Sequence, residues 1–94
     1  MREKVVEQAL IRAVRKRGGI CPKWVSPGLD DVPDRIVLLP EGRIGFVELK
    51  APGGRPRPLQ TARLCLLRDL GYKSYVCDSD ALIEGILNEI QGVD

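Results

Sequence analysis

A single α/β domain is what the apolar pattern of this chain predicts. Three observations point there. Helix-period apolar stripes occur at both ends of the chain and once between them. Short apolar runs separate them, punctuated by glycine and proline. The last of these runs follows a helix with short joins on both sides, as in a parallel strand–helix–strand crossover. The expected order is α-β-β-β-α-β-α, a mixed central sheet of roughly four strands flanked by helices. Ninety-four residues leave room for one core, so residues 1–94 form one domain.

The first helix is expected over Glu3–Arg17, where Val6, Leu10, Ala13 and Val14 keep a helical period and Gly18-Gly19 ends it. Arg12, Arg15, Lys16 and Arg17 crowd its last turns, where they complement the helix dipole and, as a cluster, could touch phosphates. Glu7 lies on the flank of the stripe and could reach over a neighbouring sheet. Gly19–Val25 suggests a first strand weakened by Pro22, followed by a turn-rich loop, Ser26–Pro33. Asp30 and Asp31 in that loop are possible metal ligands held in reserve, since loop aspartates more often make local turn hydrogen bonds.

Two strands follow. Arg35-Ile36-Val37-Leu38-Leu39 has Asp34 at its start, and Arg43–Ala51 is bounded by Gly42 and by Pro52-Gly53-Gly54. Glu48 and Lys50 share a strand face, about 7 Å apart, with Ile44 and Phe46. If the strands pair through the short Pro40–Arg43 turn, Asp34 comes beside Glu48, fourteen positions later. Charged groups on an apolar strand are costly to bury unless compensated. Two carboxylates and an ammonium at one spot suit a hard divalent cation such as Mg²⁺, with the lysine steadying developing negative charge. A strand-end salt bridge is the plainer alternative.

The stiff segment Pro52–Pro58 carries Arg55 and Arg57, plausible phosphate contacts beside that site. A second helix is expected from Pro58 to Leu70, with Leu59, Ala62, Leu66 and Leu70 as its apolar stripe, Leu67 beside it, and Gln60 in its first turn. Tyr72–Cys77 reads as the last strand. Asp78-Ser79-Asp80 then opens a final helix through Gln91 whose face is Ala81, Leu82, Ile83, Ile86, Leu87 and Ile90.

Composition narrows the chemistry. The chain has no histidine, which excludes histidine triads, histidine–metal sites and histidine bases. Fifteen Lys+Arg against thirteen Asp+Glu give a net charge of only +2, so any basic face must arise by clustering. Cys21, Cys65 and Cys77 lack CxxC spacing and are expected to be small buried apolar residues in a reducing compartment. No apolar run approaches the ~20 residues of a membrane span and no signal peptide is visible, so a cytoplasmic location is expected.

Taken together, Glu7, Gly28-Leu29…Pro33-Asp34-Arg35, Phe46-Val47-Glu48-Leu49-Lys50-Ala51, Leu59-Gln60 and Leu70-Gly71-Tyr72 resemble the PD-(D/E)xK nuclease superfamily. Within it they are most similar to the small virus-type replication-repair nuclease (VRR-NUC) domains. The resemblance covers nearly the whole chain. It implies a restriction-endonuclease-like fold, Mg²⁺- or Mn²⁺-dependent hydrolysis of DNA phosphodiesters, kinship to Holliday junction resolvases, and a homodimer acting on branched DNA. Carried over by position, Asp34 and Glu48 hold the metal with the carbonyl of Leu49, and Glu7 assists. Lys50 positions water and stabilises charge, and Gln60 orients the site or a phosphate. The competing reading is a module of the same fold that holds branched DNA for a partner enzyme without cutting it.

Overall fold

A computed structural model describes residues 2–93. The elements are α1 (Glu3–Lys16), β1 (Arg35–Leu39), β2 (Arg43–Leu49), α2 (Pro58–Asp69), β3 (Lys73–Cys77) and α3 (Ile83–Gln91), with short helical turns at Pro40–Gly42 and Asp80–Leu82. The three strands form one sheet in the order β1-β2-β3, with β2 antiparallel to β1 and parallel to β3. The strand bearing Glu48 is therefore central, bonded on both sides.

Strand alternation divides the sheet into two faces. Val37, Leu39, Val47, Leu49 and Cys77 look one way and pack with Val6, Leu10 and Val14 of α1 and Ile83, Ile86, Leu87 and Ile90 of α3. This is the main core, and the expected stripes of the first and last helices supply it. Ala81 and Leu82 lie instead on the exposed turn before α3. Gly45 marks the closest approach of α3 to the sheet, since a Cβ there would stand 2.5 Å from Ile90 Cδ1. On the opposite face, α2 packs over β3, where the buried Ser74 hydroxyl donates to the Leu64 carbonyl at 2.8 Å. An aromatic run continues that face beyond α2: Trp24 and Phe46 lie 5.0 Å apart, and Tyr72 meets Phe46 edge-on at 5.8 Å.

Three further expectations need correction. The fourth strand, Gly19–Val25, is an interrupted edge. Ile20 and Leu38 exchange two 3.0 Å bonds, Ile36 N–H donates to the Pro22 carbonyl, and Trp24 N–H donates to the Asp34 carbonyl. Pro22 has no N–H to return to Ile36, so the ladder breaks into isolated bridges. The sheet thus has three continuous strands rather than four.

The stripe assigned to α2 is also on the wrong side. The helix buries Gln60, Leu64 and Leu67, while Leu59 and Leu66 are exposed and Leu70, just past its end, is 65 % exposed. Positions 60, 64 and 67 keep the helical period as well as positions 59, 62, 66 and 70 do. Because α2 rests on a single strand, only a narrow face is needed. Last, Cys65 is exposed, on the side of α2 away from the sheet, whereas Cys21 and Cys77 are buried as expected.

Candidate active site

The β1–β2 turn sets the site. Glu41 and Gly42 both adopt positive φ, 68° and 73°, and the tight reversal pairs Arg35 with Val47. One step back along the same register, Asp34 stands across from Glu48. The Asp34 carboxylate is fixed there by the backbone of β2, its Oδ2 accepting the Leu49 N–H at 2.8 Å. Pro33, fully buried, holds the chain rigid just before it.

Glu48 is 1 % exposed. Its Oε2 lies 3.3 Å from the Lys50 ammonium, while Oε1 is buried with no hydrogen-bond partner among the described residues. Burial, reinforced by the Asp34 charge alongside and only partly offset by Lys50, pushes the Glu48 carboxyl up to about 7. Lys50 is pinned where β2 ends, its N–H donating to the Cys77 carbonyl of β3 at 3.1 Å. The two carboxylates and the ammonium expected to converge do converge.

A buried acid with one orphaned oxygen beside a second carboxylate is costly unless a cation completes it. The donor set is all oxygen, which suits Mg²⁺ or Mn²⁺. Asp34 and Glu48 would hold such an ion. Leu49, the expected source of a backbone oxygen, lies between Glu48 and Lys50 with its N–H already given to Asp34. Glu7 stands apart. Its Oε2 accepts from Arg35 Nε at 3.1 Å, and it shares a pocket of about 340 Å³ with Asp34, Glu3, Lys23 and Trp24. Among the described residues, no three acidic, cysteine or histidine side chains gather closely enough to hold a metal by themselves.

The remaining expected residues are dispersed around this centre. Gln60 is buried at the start of α2, where its Oε1 accepts the Arg57 N–H at 2.8 Å, so it caps the helix that borders the site. Arg55 and Arg57 are exposed on the loop after Lys50, and Arg57 also pairs with Asp31 at 2.9 Å. Arg12, Arg15 and Lys16 are exposed along α1. Arg15 lines a second hollow, of about 290 Å³, with Ile11, Cys21 and Arg35. Burial pushes the Cys21 thiol in that wall up to about 11, so it behaves as a neutral apolar residue. Arg17, grouped with them by sequence, instead bonds Gln91, Glu84 and Asn88 and ties α1 to α3.

The loop aspartates held in reserve make anchoring contacts. Besides the Arg57–Asp31 pair, Arg63 Nε donates to the Asp30 carbonyl at 2.7 Å, so two arginines fasten the loop that leads into Asp34. Sequence reasoning missed Arg63 and Arg35. For Arg35 a signal was available: it is the one charged residue in a strand that otherwise reads Ile-Val-Leu-Leu.

Glu48 on the central strand and Lys50 at its end, with Asp34 facing Glu48 from the start of β1, give this small α/β domain the kind of charged cluster found in nuclease folds. The VRR-NUC domain model matches residues 7–81. The chain is 50% identical over 82 residues to p44 of Acyrthosiphon pisum secondary endosymbiont phage 1, named as a candidate nuclease, covering 87% of this chain and 88% of that protein. A solved structure of a VRR-NUC domain superposes with a TM-score of 0.84 at 28% identity, covering 92% of this chain and 94% of the other. The chain belongs to the VRR-NUC family of nuclease domains.

Proposed function

We propose that this domain hydrolyses DNA phosphodiester bonds with the help of Mg²⁺ or Mn²⁺, acting as a homodimer on branched DNA. The observation that carries the reading is the orphaned Glu48 Oε1, buried beside Asp34 and within the same cluster as the Lys50 ammonium. A divalent ion bound there supplies Lewis-acid activation of water and charge neutralisation at the phosphorus. The residues supply everything else. Asp34, locked by the Leu49 N–H, and Glu48, locked by burial, are pre-set as ligands and pay no ordering cost on binding. Lys50 sits where negative charge develops on the non-bridging oxygens and stabilises it. Arg55 and Arg57 on the adjoining loop, with Arg12, Arg15 and Lys16 on α1, provide phosphate contacts that position the backbone without reading sequence.

Support for a dimer comes from α2, whose outward flank presents Leu59, Leu66 and, just beyond its end, Leu70 to solvent in so small a domain. Two copies joined there would place two sites on one branched substrate.

The direct test is cleavage of end-labelled four-way junction, flap, duplex and single-stranded DNA with Mg²⁺, Mn²⁺ or EDTA. Asp34→Ala and Lys50→Ala run alongside. Metal-dependent cutting of the branched substrates, lost in both variants, is expected. Equal binding of branched DNA by all three proteins with no cutting would replace this reading with that of a holding module.

A further inference from the structure

We infer that Arg35 is a positioning residue for the metal centre, acting through Glu7; the inference rests on the nuclease reading above. Arg35 directly follows Asp34, so strand alternation sends its side chain to the α1 side of the sheet while Asp34 turns toward Leu49. There the guanidinium makes two bonds in different directions: Nε to Glu7 Oε2 at 3.1 Å and Nη1 to the Cys21 carbonyl at 2.8 Å. Its side chain is only 12 % exposed. The Cys21 end is backbone, held by the interrupted edge that bonds Ile20 to Leu38 and Pro22 to Ile36. The planar fork therefore cannot swing to follow Glu7, and Glu7 is drawn to the fork.

One carboxylate oxygen is thereby used. Oε1 has no hydrogen bond among the described residues and remains for the pocket that Glu7 shares with Asp34. Glu7 lies outside the Asp34–Glu48 pair and would act on the ion from across the pocket it shares with Asp34; partners that orient such supporting groups commonly govern metal affinity by about 10–100-fold. Arg35 has the required features: burial, a rigid backbone anchor, and a direct bond to Glu7. A lysine here would keep the charge but could not satisfy Glu7 and Cys21 together in a planar fork.

The test is Mn²⁺ affinity of the DNA-free protein, read by thermal shift across a metal titration, for wild type, Arg35→Lys, Glu7→Gln and the double variant. Arg35→Lys is expected to weaken Mn²⁺ about tenfold, so that each thermal shift above its own metal-free melting point needs about ten times more metal than in wild type. The double variant is expected to bind no more weakly than Glu7→Gln alone, because Arg35 acts only through Glu7. Wild-type affinity in Arg35→Lys, or losses that multiply in the double variant, would overturn the inference and leave the ion pair as a structural tie between α1 and β1. A wild type with no Mn²⁺-dependent shift would end the nuclease reading itself, and this inference with it. Should Arg35→Lys fail to fold, Arg35→Gln, which retains a donor for one of the two partners, is read in the same cycle.

Discussion

Glu48 makes the metal-free protein less stable as pH rises, and the size of the effect follows from its surroundings. Burial and the Asp34 charge carry this carboxyl from an ordinary 4.5 to about 7 in the folded protein. Between those values the folded protein keeps a proton that the unfolded chain has already released. Stability from this group is therefore fully present below pH 4.5 and lost by the time pH passes 7. At 1.36 kcal/mol per pKa unit the span corresponds to about 3 kcal/mol. For a domain of this length that is on the order of 10–20 °C in melting temperature.

The assay is thermal melting in EDTA from pH 4 to 8, comparing wild type with Glu48→Gln, which imitates the protonated acid at every pH. Carboxylates away from the site titrate equally in both proteins, so the difference between the two curves reports the coupled Glu48–Asp34 pair. Wild type should match the variant at pH 4 and fall progressively below it toward pH 8. Excess Mn²⁺ should then raise wild type alone at pH 8, because a cation favours the ionised acid; occupancy at a hundred times Kd contributes about 2.7 kcal/mol. A wild-type-minus-variant difference that stays flat across the range would refute the claim that Glu48 is held against its ionisation.

Other outcomes follow from single contacts. Gly45→Ala drives a Cβ to within 2.5 Å of Ile90 Cδ1, inside a filled core, and should cost about 1–3 kcal/mol in urea unfolding. Gln60→Ala removes the acceptor for Arg57 N–H and should lower stability by about 1 kcal/mol, with a larger loss of cleavage than of DNA binding if the cap also holds the Arg55–Arg57 loop in place. Leu66→Lys with Leu70→Lys leaves the core untouched, since both side chains are exposed, and should yield a monomer by light scattering where the proposed dimer is expected for wild type.

The parts of this fold that were legible in the sequence are those fixed by short-range geometry. A strand has period two and the Pro40–Gly42 turn is short, so the pairing of Asp34 with Glu48 and the common face of Glu48 and Lys50 follow from counting residues. The main core was legible for a similar reason: α1 and α3 each have one continuous apolar stripe and no competing one. What escaped prediction depended on partners distant in sequence. The helix α2 carries two stripes with equal helical period, and which of them is buried depended on how the helix lies over β3, a strand distant from either pattern. Arg57 meets Asp31 across 26 residues and Arg35 meets Glu7 across 28, and no local pattern announces either. Pro22 was visible, but its consequence, a strand that bonds without a continuous ladder, depended on which edge of β1 it met.

Stability and chemistry meet at one oxygen. Every other buried polar side-chain atom among the described residues has a partner, and only Glu48 Oε1 does not. A fold selected for stability alone would replace this acid with glutamine or an apolar residue, because the sheet around it needs no charge. Keeping it concentrates unsatisfied negative charge at the one place where Asp34 and Lys50 also arrive, on the strand least free to relax because it is bonded on both sides. That rigidity is what allows the deficit to persist in the folded chain instead of being relieved by a small movement. On the proposed function the same deficit is what a divalent cation would remove, so the affinity for metal and the penalty in its absence would have a common origin and should vary together in variants of this site. A substitution that gives Oε1 a hydrogen-bond donor from a neighbouring side chain should stabilise the metal-free protein and weaken metal binding at once.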